Sequence, residues 1–150
     1  MSDHWIVLIP DEPSWVPEIW RQQQAVALLQ TIAPDADEVK ATTADAIQFV
    51  DCGANFEAVF CPECGSQLEI EWWGMQLDAE AKAGFLFPPI PLPCCHAKVP
   101  LSRLRCEFAQ GFARFTLEAM NSNIGRLPGY TRDEFERILG CKLTVIYRHI

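Results

Sequence analysis

Two short cysteine-rich segments carry the strongest chemical signal in this sequence of 150 residues. The first segment is Cys61-Pro62-Glu63-Cys64-Gly65, and the second is Pro93-Cys94-Cys95-His96. Two thiolates separated by two residues on a tight turn can face the same metal ion, and soft thiolate sulfur selects zinc or iron. Pro62 fixes the start of the turn, and Gly65 permits a left-handed backbone conformation. The spacing therefore predicts a metal-binding turn.

The first segment resembles the zinc knuckles of rubredoxins and zinc ribbons. A closed structural site needs four ligands, which two such turns commonly supply. Alignment of the two segments places Leu92, rather than a thiolate, at the position of Cys61. The second segment then contributes Cys95 together with either Cys94 or His96.

We favour Cys94 over His96 as the fourth ligand, because all-thiolate zinc sites are common. The cofactor that we expect is one structural Zn²⁺. Its predicted ligands are Cys61, Cys64, Cys94 and Cys95, with His96 as the alternative fourth ligand.

The cysteines could also form a redox pair or hold a catalytic zinc, and each of these functions requires a specific sequence pattern. A redox pair of the thioredoxin type lies at a helix N-terminus after a strand, whereas the alternation of Leu68, Ile70 and Trp72 predicts a strand after the first turn. A catalytic zinc needs an open coordination position and a nearby base, and neither H-x-E nor H-E-x-x-H occurs in the sequence. We therefore favour a protein that is not an enzyme.

The elements that must position these turns follow from hydrophobic periodicity. A helix is predicted from the N-cap Ser14 to Ile32, where Pro34 ends it. A second helix is predicted from the capping box of Thr131 and Glu134 to Gly140. Four strands are predicted at residues 4–10, 46–52, 111–120 and 142–150.

This order of elements forms one β-α-β unit at each end of the chain. It predicts an α+β fold, namely a ferredoxin-like split βαβ sandwich, with a plain α+β sheet of another strand order as the rival. We expect residues 1–150 to be a single domain, in which residues 53–108 are an inserted zinc-ribbon-like segment. Within that segment the pattern predicts a strand at Gln67–Trp72, a helix at Met75–Ala83 and an extended stretch at Phe87–Pro93.

The net charge of -8 is unevenly distributed. Residues 1–75 contain 13 acidic and two basic side chains, whereas residues 76–150 contain seven acidic and ten basic ones. An acidic surface disfavours nucleic acids and anionic membranes and favours a basic protein partner. Residues that we expect to bind this partner are Trp15, Trp20, Asp35, Asp37 and Glu38.

Over about two thirds of its length, the chain resembles a group of small uncharacterised bacterial proteins. The shared features are C-P-x-C-G, a C-C turn, a G-F-A-R-F stretch and a terminal helix–strand segment. In this sequence they are Cys61–Gly65, Cys94-Cys95, Gly111–Phe115 and Leu139–Leu143. The resemblance implies a bound metal but no activity.

We therefore expect a cytoplasmic, non-enzymatic, zinc-stabilised protein that binds a basic partner, for example as an inhibitor or immunity protein. No apolar run approaches the roughly 18 residues that cross a bilayer, and no signal peptide is expected. One alternative is a cysteine-based redox sensor or zinc enzyme. Another is a zinc ribbon that binds nucleic acid through Lys98, Arg103 and Arg105.

Overall fold

A computed structural model describes residues 2–150 of the chain. These residues form a mixed α+β structure with three α-helices and three open antiparallel sheets. They divide into two compact units. We call the chain up to Asn55 together with Gln110–Ile150 the sheet unit, and Phe56–Ala109 the cysteine unit. Within residues 2–150, no helix is both long enough and apolar enough to cross a membrane.

In chain order the elements are β1 (His4–Pro10), α1 (Ile19–Ile32), β2 (Glu38–Val50), β3 (Ala58–Phe60), β4 (Gln67–Leu68), α2 (Ile70–Lys82), β5 (Ile90–Pro91), β6 (Lys98–Val99), β7 (Arg105–Glu107), β8 (Gly111–Met120), α3 (Gly129–Leu139) and β9 (Leu143–His149).

The sheet unit contains a four-stranded antiparallel sheet in the order β2-β8-β1-β9. Strand β1 lies between two neighbours, so that Val7 is opposite Glu118 of β8 and Ile146 of β9. Because a central strand is covered on both faces, β1 consists of apolar residues over most of its length, and residues 6–10 are all buried.

Both helices of the sheet unit contribute to one hydrophobic core with the sheet. Side chains alternate along a strand, so Ile6 and Leu8 project from the same face of β1. Their core also contains residues of β8, α1 and α3, namely Phe115, Leu117, Ala25, Leu29, Phe135 and Leu139. The helices therefore hold the sheet from one side.

The end of β2 returns toward the end of β9. The register of β2 against β8 shifts between Thr43 and Gln48, and beyond this irregularity Gly53 bridges His149. Gly53 has a φ of +63°, and a Cβ atom there would lie 2.3 Å from the carbonyl oxygen of His149. Only glycine permits this approach, which ties the last residues of β9 to the rest of the sheet unit.

The cysteine unit consists of short strands around α2. One sheet has the order β4-β3-β7, and the other pairs β5 with β6. On α2, Trp73 stacks on Phe56 with ring centroids 5.0 Å apart, and the carboxylate of the buried Glu80 accepts a hydrogen bond from the Phe87 N–H. These contacts fix the segment that connects the two cysteine-bearing turns.

Several of the predicted elements agree with the structure. Strands β1 and β8 have the predicted bounds, and β9 differs from its predicted range by one residue at each end. Gly140 ends α3 in a left-handed conformation, as predicted. Phe56–Ala109 forms a compact unit of its own, and the prediction of a single domain with an insertion at residues 53–108 stays a prediction.

Other predictions about local structure are wrong. The strand predicted at Gln67–Trp72 is only β4, after which α2 begins at Ile70, so Trp72 and Trp73 lie on a helix. The strand predicted at 46–52 begins earlier, at Glu38, because β2 lies at the edge of its sheet, where polar residues can remain exposed within a strand.

Both predicted N-caps are also wrong. Helix α1 begins at Ile19, and the Ser14 hydroxyl donates a hydrogen bond to Glu12 instead. Helix α3 begins at Gly129 without a side-chain cap, and the carboxylate of Glu134 pairs with Arg137. In both cases a proline in the preceding loop supplies the extended backbone at which the helix can begin.

Candidate metal centre

The first cysteine turn joins β3 to β4 and is closed by two backbone hydrogen bonds. The Cys61 N–H donates to the Ser66 carbonyl at 2.9 Å, and the Gly65 N–H donates to the Cys61 carbonyl at 3.0 Å. Gly65 has a φ of +75°, the left-handed conformation that the sequence predicts. The backbone N–H groups of Glu63 and Cys64 each donate a hydrogen bond to the Cys61 sulfur at 3.4 Å.

The second turn joins β5 to β6 and repeats the same backbone pattern. The Leu92 N–H donates to the Ala97 carbonyl at 3.0 Å, and the His96 N–H donates to the Leu92 carbonyl at 2.9 Å. Leu92 therefore takes the backbone position of Cys61, and His96 takes that of Gly65. His96 has a φ of +62°, so this turn holds a non-glycine residue in the left-handed region.

The two turns bring four thiols together. The sulfurs of Cys61, Cys64, Cys94 and Cys95 all lie within 4.8 Å of one another, and this group could hold a metal ion. The Cys95 sulfur is 3.8 Å from that of Cys61 and 3.8 Å from that of Cys94. Four sulfurs placed tetrahedrally about 2.3 Å from a zinc ion are about 3.8 Å apart. A disulfide would need about 2.05 Å, and all four cysteines are free.

The imidazole of His96, the alternative fourth ligand, does not belong to this group. Leu92 is fully buried and packs with Cys61 and Val99. The position that carries a ligand in the first turn thus supplies apolar packing in the second, and Cys94 brings its sulfur into the group from two residues further on.

Three of these thiols have pKa values shifted from the ordinary value for cysteine, and not all in the same direction. Hydrogen bonds from the hydroxyl and backbone N–H of Ser66 lower the pKa of Cys64 to about 6. Desolvation, followed by hydrogen bonds with the other cysteines, raises the pKa of Cys94 to about 12. The Ala97 backbone lowers the pKa of Cys95, but desolvation and the thiols of Cys61 and Cys64 outweigh it, so the net shift is upward.

Basic residues beside the turns are already engaged within the cysteine unit. The Arg103 guanidinium lies 3.6 Å from the Glu63 carboxylate, and that of Arg105 lies over the Phe60 ring. Lys98 is exposed on β6. Because the Glu63 carboxylate offsets the charge of Arg103, the positive charge around Lys98, Arg103 and Arg105 is smaller than the sequence suggests.

The tryptophans predicted to contact a partner are both exposed. Trp15 precedes α1 and is 43% exposed, while Trp20 in its first turn is 49% exposed. Ile19 lies between them in the sequence and is 66% exposed. Sequence reasoning missed Ile19 because an aliphatic residue at a helix start is usually assigned to the core. The Trp20 N–H donates to the Glu18 carboxylate at 2.8 Å.

The acidic residues predicted to join this surface lie beyond the opposite end of α1. A helix of 14 residues is about 21 Å long, so Asp35, Asp37 and Glu38 are far from Trp20. Asp37 accepts a hydrogen bond from the Asn121 side chain at 2.8 Å, and Glu38 lies 3.1 Å from Lys40. The predicted partner surface is therefore two separate patches.

Comparison of the chain with protein-family models, with curated protein sequences and with solved structures finds no match. Function must therefore be inferred from the geometry of the four-cysteine group and from the exposed surface.

Proposed function

We propose that this chain is a non-enzymatic binding protein whose cysteine unit is held together by one structural Zn²⁺. The observation that carries the proposal is the group of four sulfurs within 4.8 Å of one another. The two turns with the same backbone hydrogen bonds support a zinc-ribbon-like arrangement in this unit.

The composition of the group favours a structural rather than a catalytic role. Four protein sulfurs fill a tetrahedral coordination shell and leave no position for water or substrate. Among residues 2–150, the group contains cysteines and no carboxylate or imidazole that could serve as a base.

The size of the cysteine unit explains why a metal would be useful. Phe56–Ala109 contains 54 residues, and the strands that carry the two turns have only two or three residues each. Units below roughly 70 residues rarely gain enough stability from apolar burial alone, and a structural metal is one common supplement.

Metal analysis of purified variants tests this proposal. We expect the native protein to contain one equivalent of zinc by plasma mass spectrometry, and Cys64→Ser to lose it. Cys141→Ser is the matched control, because Cys141 lies outside the group, and it should keep its zinc. One equivalent of metal in Cys64→Ser would contradict the proposal. A visible thiolate-to-iron absorption band would show that the bound metal is iron rather than zinc.

Alkylation of the thiols in the purified native protein distinguishes a structural metal site from redox chemistry. A closed site protects its four thiols from alkylation until a chelator is added. Rapid labelling of Cys94 or Cys95 in the metal-loaded protein would instead support the redox alternative. Zinc thiolates require reducing conditions, so we place the protein in the cytoplasm.

We also propose that the sheet unit is a ferredoxin-like split βαβ sandwich. The strand order β2-β8-β1-β9 supports this topology, since every neighbouring pair is antiparallel. Helix α1 connects β1 to β2, helix α3 connects β8 to β9, and both helices contribute to one core.

The exposed residues at the start of α1 support the proposal of a basic protein partner. Trp15, Ile19 and Trp20 offer apolar and aromatic area, and the carboxylates of Glu12 and Glu18 lie beside them in the sequence. Aromatic residues are enriched at binding hot spots, and neighbouring acids favour a cationic partner. An inhibitor or immunity protein for a basic toxin is one form of this proposal.

Affinity capture with variants tests the partner proposal. A genuine partner is retained by the native protein and by Tyr130→Ala, a control at another exposed aromatic residue. It is lost by the double variant Trp15→Ala/Trp20→Ala, and its binding weakens as salt is raised. Equal capture by the native protein and both variants would show that Trp15 and Trp20 do not bind the partner.

A further inference from the structure

We propose that His4 and His149 form a second metal site, which binds a divalent transition ion that prefers imidazole ligands, such as Ni²⁺ or Cu²⁺. The two side chains come from adjacent strands, β1 and β9, and their Nδ1 atoms are 2.9 Å apart. This site lies wholly within the sheet unit and does not depend on the four-cysteine group.

The strand register brings the two rings together. His4 lies directly opposite His149, and the neighbouring Asp3 and Ile150 exchange both backbone hydrogen bonds, at 2.8 and 2.9 Å. Pairs alternate along an antiparallel ladder, so His4 and His149 occupy a non-hydrogen-bonded position, where opposed side chains are closest. Both imidazoles therefore project from the same face at minimal separation.

The backbone on the outer side of each histidine is also fixed. The His4 N–H donates to the Asn121 side chain at 2.9 Å, and the His4 carbonyl accepts from the Asn121 N–H. On the other strand, the His149 carbonyl accepts from the Ala54 N–H at 2.8 Å, and its N–H donates to the Cys52 carbonyl. Binding would therefore need adjustment of the two rings alone, which makes the pair preorganised.

The choice of metal rests on the type of ligand. Imidazole nitrogen suits zinc, copper, iron and nickel, and the affinity of a nitrogen site rises from Mn²⁺ through Ni²⁺ to Cu²⁺. The observed distance of 2.9 Å is that of a hydrogen bond between the two rings, so both Nδ1 lone pairs must turn toward the ion when it binds.

The proton balance of binding is simple. When one neutral ring carries its proton on Nδ1, this Nδ1–H donates to the other Nδ1, and a metal needs the lone pairs of both Nδ1 atoms. The donor ring becomes the Nε2–H tautomer, so no proton need be released. His4 is exposed, which lets water fill the remaining coordination positions.

Nearby charge favours a cation at this position. The Asn121 side-chain amide donates to the carboxylates of both Asp3 and Asp37, at 3.0 and 2.8 Å. These carboxylates contribute negative potential close to His4 while their oxygens remain engaged with Asn121.

Calorimetric titration of the full, zinc-loaded chain with Ni²⁺, in a Mg²⁺ background, tests the site. Native protein should bind one equivalent of Ni²⁺ without releasing zinc, and His149→Asn should bind it at least about tenfold more weakly. The asparagine amide can still hydrogen-bond His4 but supplies no imidazole. His96→Asn, at the remaining histidine of the chain, is the matched control and should bind Ni²⁺ like native protein.

Thermal melting of each variant with and without Ni²⁺ separates loss of metal binding from loss of folding, because a folded variant still shows its own melting transition. Ni²⁺ should raise the melting temperature of native protein and of His96→Asn, but not that of His149→Asn or His4→Asn. Equal Ni²⁺ affinity in native protein and His149→Asn would overturn the site, as would absence of binding to native protein.

Discussion

Ser66 lowers the pKa of one thiol of the four-cysteine group, that of Cys64. Its hydroxyl and backbone N–H both donate to Cys64, whose pKa falls to about 6, whereas Cys94 retains its proton up to about pH 12. Cys64 is therefore a thiolate at neutral pH, before any metal arrives. It is the side chain best suited to make the first bond to an incoming ion.

This difference predicts the pH dependence of zinc affinity. At pH 7, Cys94 and Cys95 must each lose a proton to bind metal, so affinity should rise at least about a hundredfold per pH unit. Below about pH 6, protonation of Cys64 should add a further factor of about ten per unit. Competition with a chelator of known affinity, from acid to neutral pH, measures both slopes.

Ser66→Ala separates the contribution of the hydroxyl. Loss of this donor raises the pKa of Cys64, so the steeper acid limb should begin at a higher pH. Ser102→Ala removes an exposed hydroxyl elsewhere in the cysteine unit and should leave the profile unchanged. Superimposable profiles for native protein and Ser66→Ala would show that the hydroxyl does not control Cys64.

At the scale of elements, the hydrophobic pattern of the sequence predicted those strands and helices whose formation depends mainly on neighbouring residues. Strand β1 is apolar and buried from Ile6 to Pro10, and β8 alternates, so both strands could be predicted from the sequence pattern. Most of α2 was also predicted, as the helix at Met75–Ala83, but its start at Ile70 was not, because Leu68, Ile70 and Trp72 alternate as in a strand. In the structure Trp73 stacks on Phe56, a contact between residues distant in the sequence that no local pattern predicts.

The sites show the same division. The four cysteines were predictable because each turn has its own sequence signature. His4 and His149 have no such signature, since only the register of β1 against β9 brings them together. The exposure of Ile19 likewise depends on which side of α1 the core occupies.

The equivalence of the two turns predicts that a ligand can be moved. Leu92 takes the backbone position of Cys61, so Leu92→Cys should supply a sulfur when Cys94→Ser removes one. We expect Cys94→Ser alone to lose zinc affinity and Leu92→Cys/Cys94→Ser to regain it, although the lost apolar burial costs about 1–2 kcal/mol. Zinc content and chelator competition measure the effect.

A control for this exchange places the new cysteine outside the turn. Leu101 is also buried in the cysteine unit, but it follows β6 in a 3₁₀ turn. Leu101→Cys/Cys94→Ser should remain deficient in zinc. Recovery in this control as readily as in the Leu92 variant would show that position within the turn is unimportant.

At the scale of the whole molecule, each unit has its own buried cluster. The sheet unit packs Phe115 and Leu117 between helices and sheet, whereas the cysteine unit packs Cys61, Leu92 and Val99 beside the sulfurs. Loss of metal should therefore destabilise the cysteine unit while leaving the core of the sheet unit in place.

Hydrogen exchange measures this independence. Addition of a chelator should increase amide exchange throughout residues 61–99 and leave the amides of β1 and β8 protected. In the reverse experiment, Phe115→Ala should destabilise the sheet unit by about 3–5 kcal/mol without reducing zinc content. Equal loss of protection in β1 after chelation would show that the two units unfold together.

The attachment of the cysteine unit has a consequence for chain entropy. Its two ends leave from β2 and β8, which are neighbours in the sheet: Val50 lies opposite Gly111, and the Cys52 N–H donates to the Gln110 side chain. Closing a connection of 54 residues rather than a four-residue turn costs only about 2 kcal/mol of loop entropy. A plain hairpin could therefore replace the whole cysteine unit without any strand changing its partner, which makes the cysteine unit an exchangeable part of the chain.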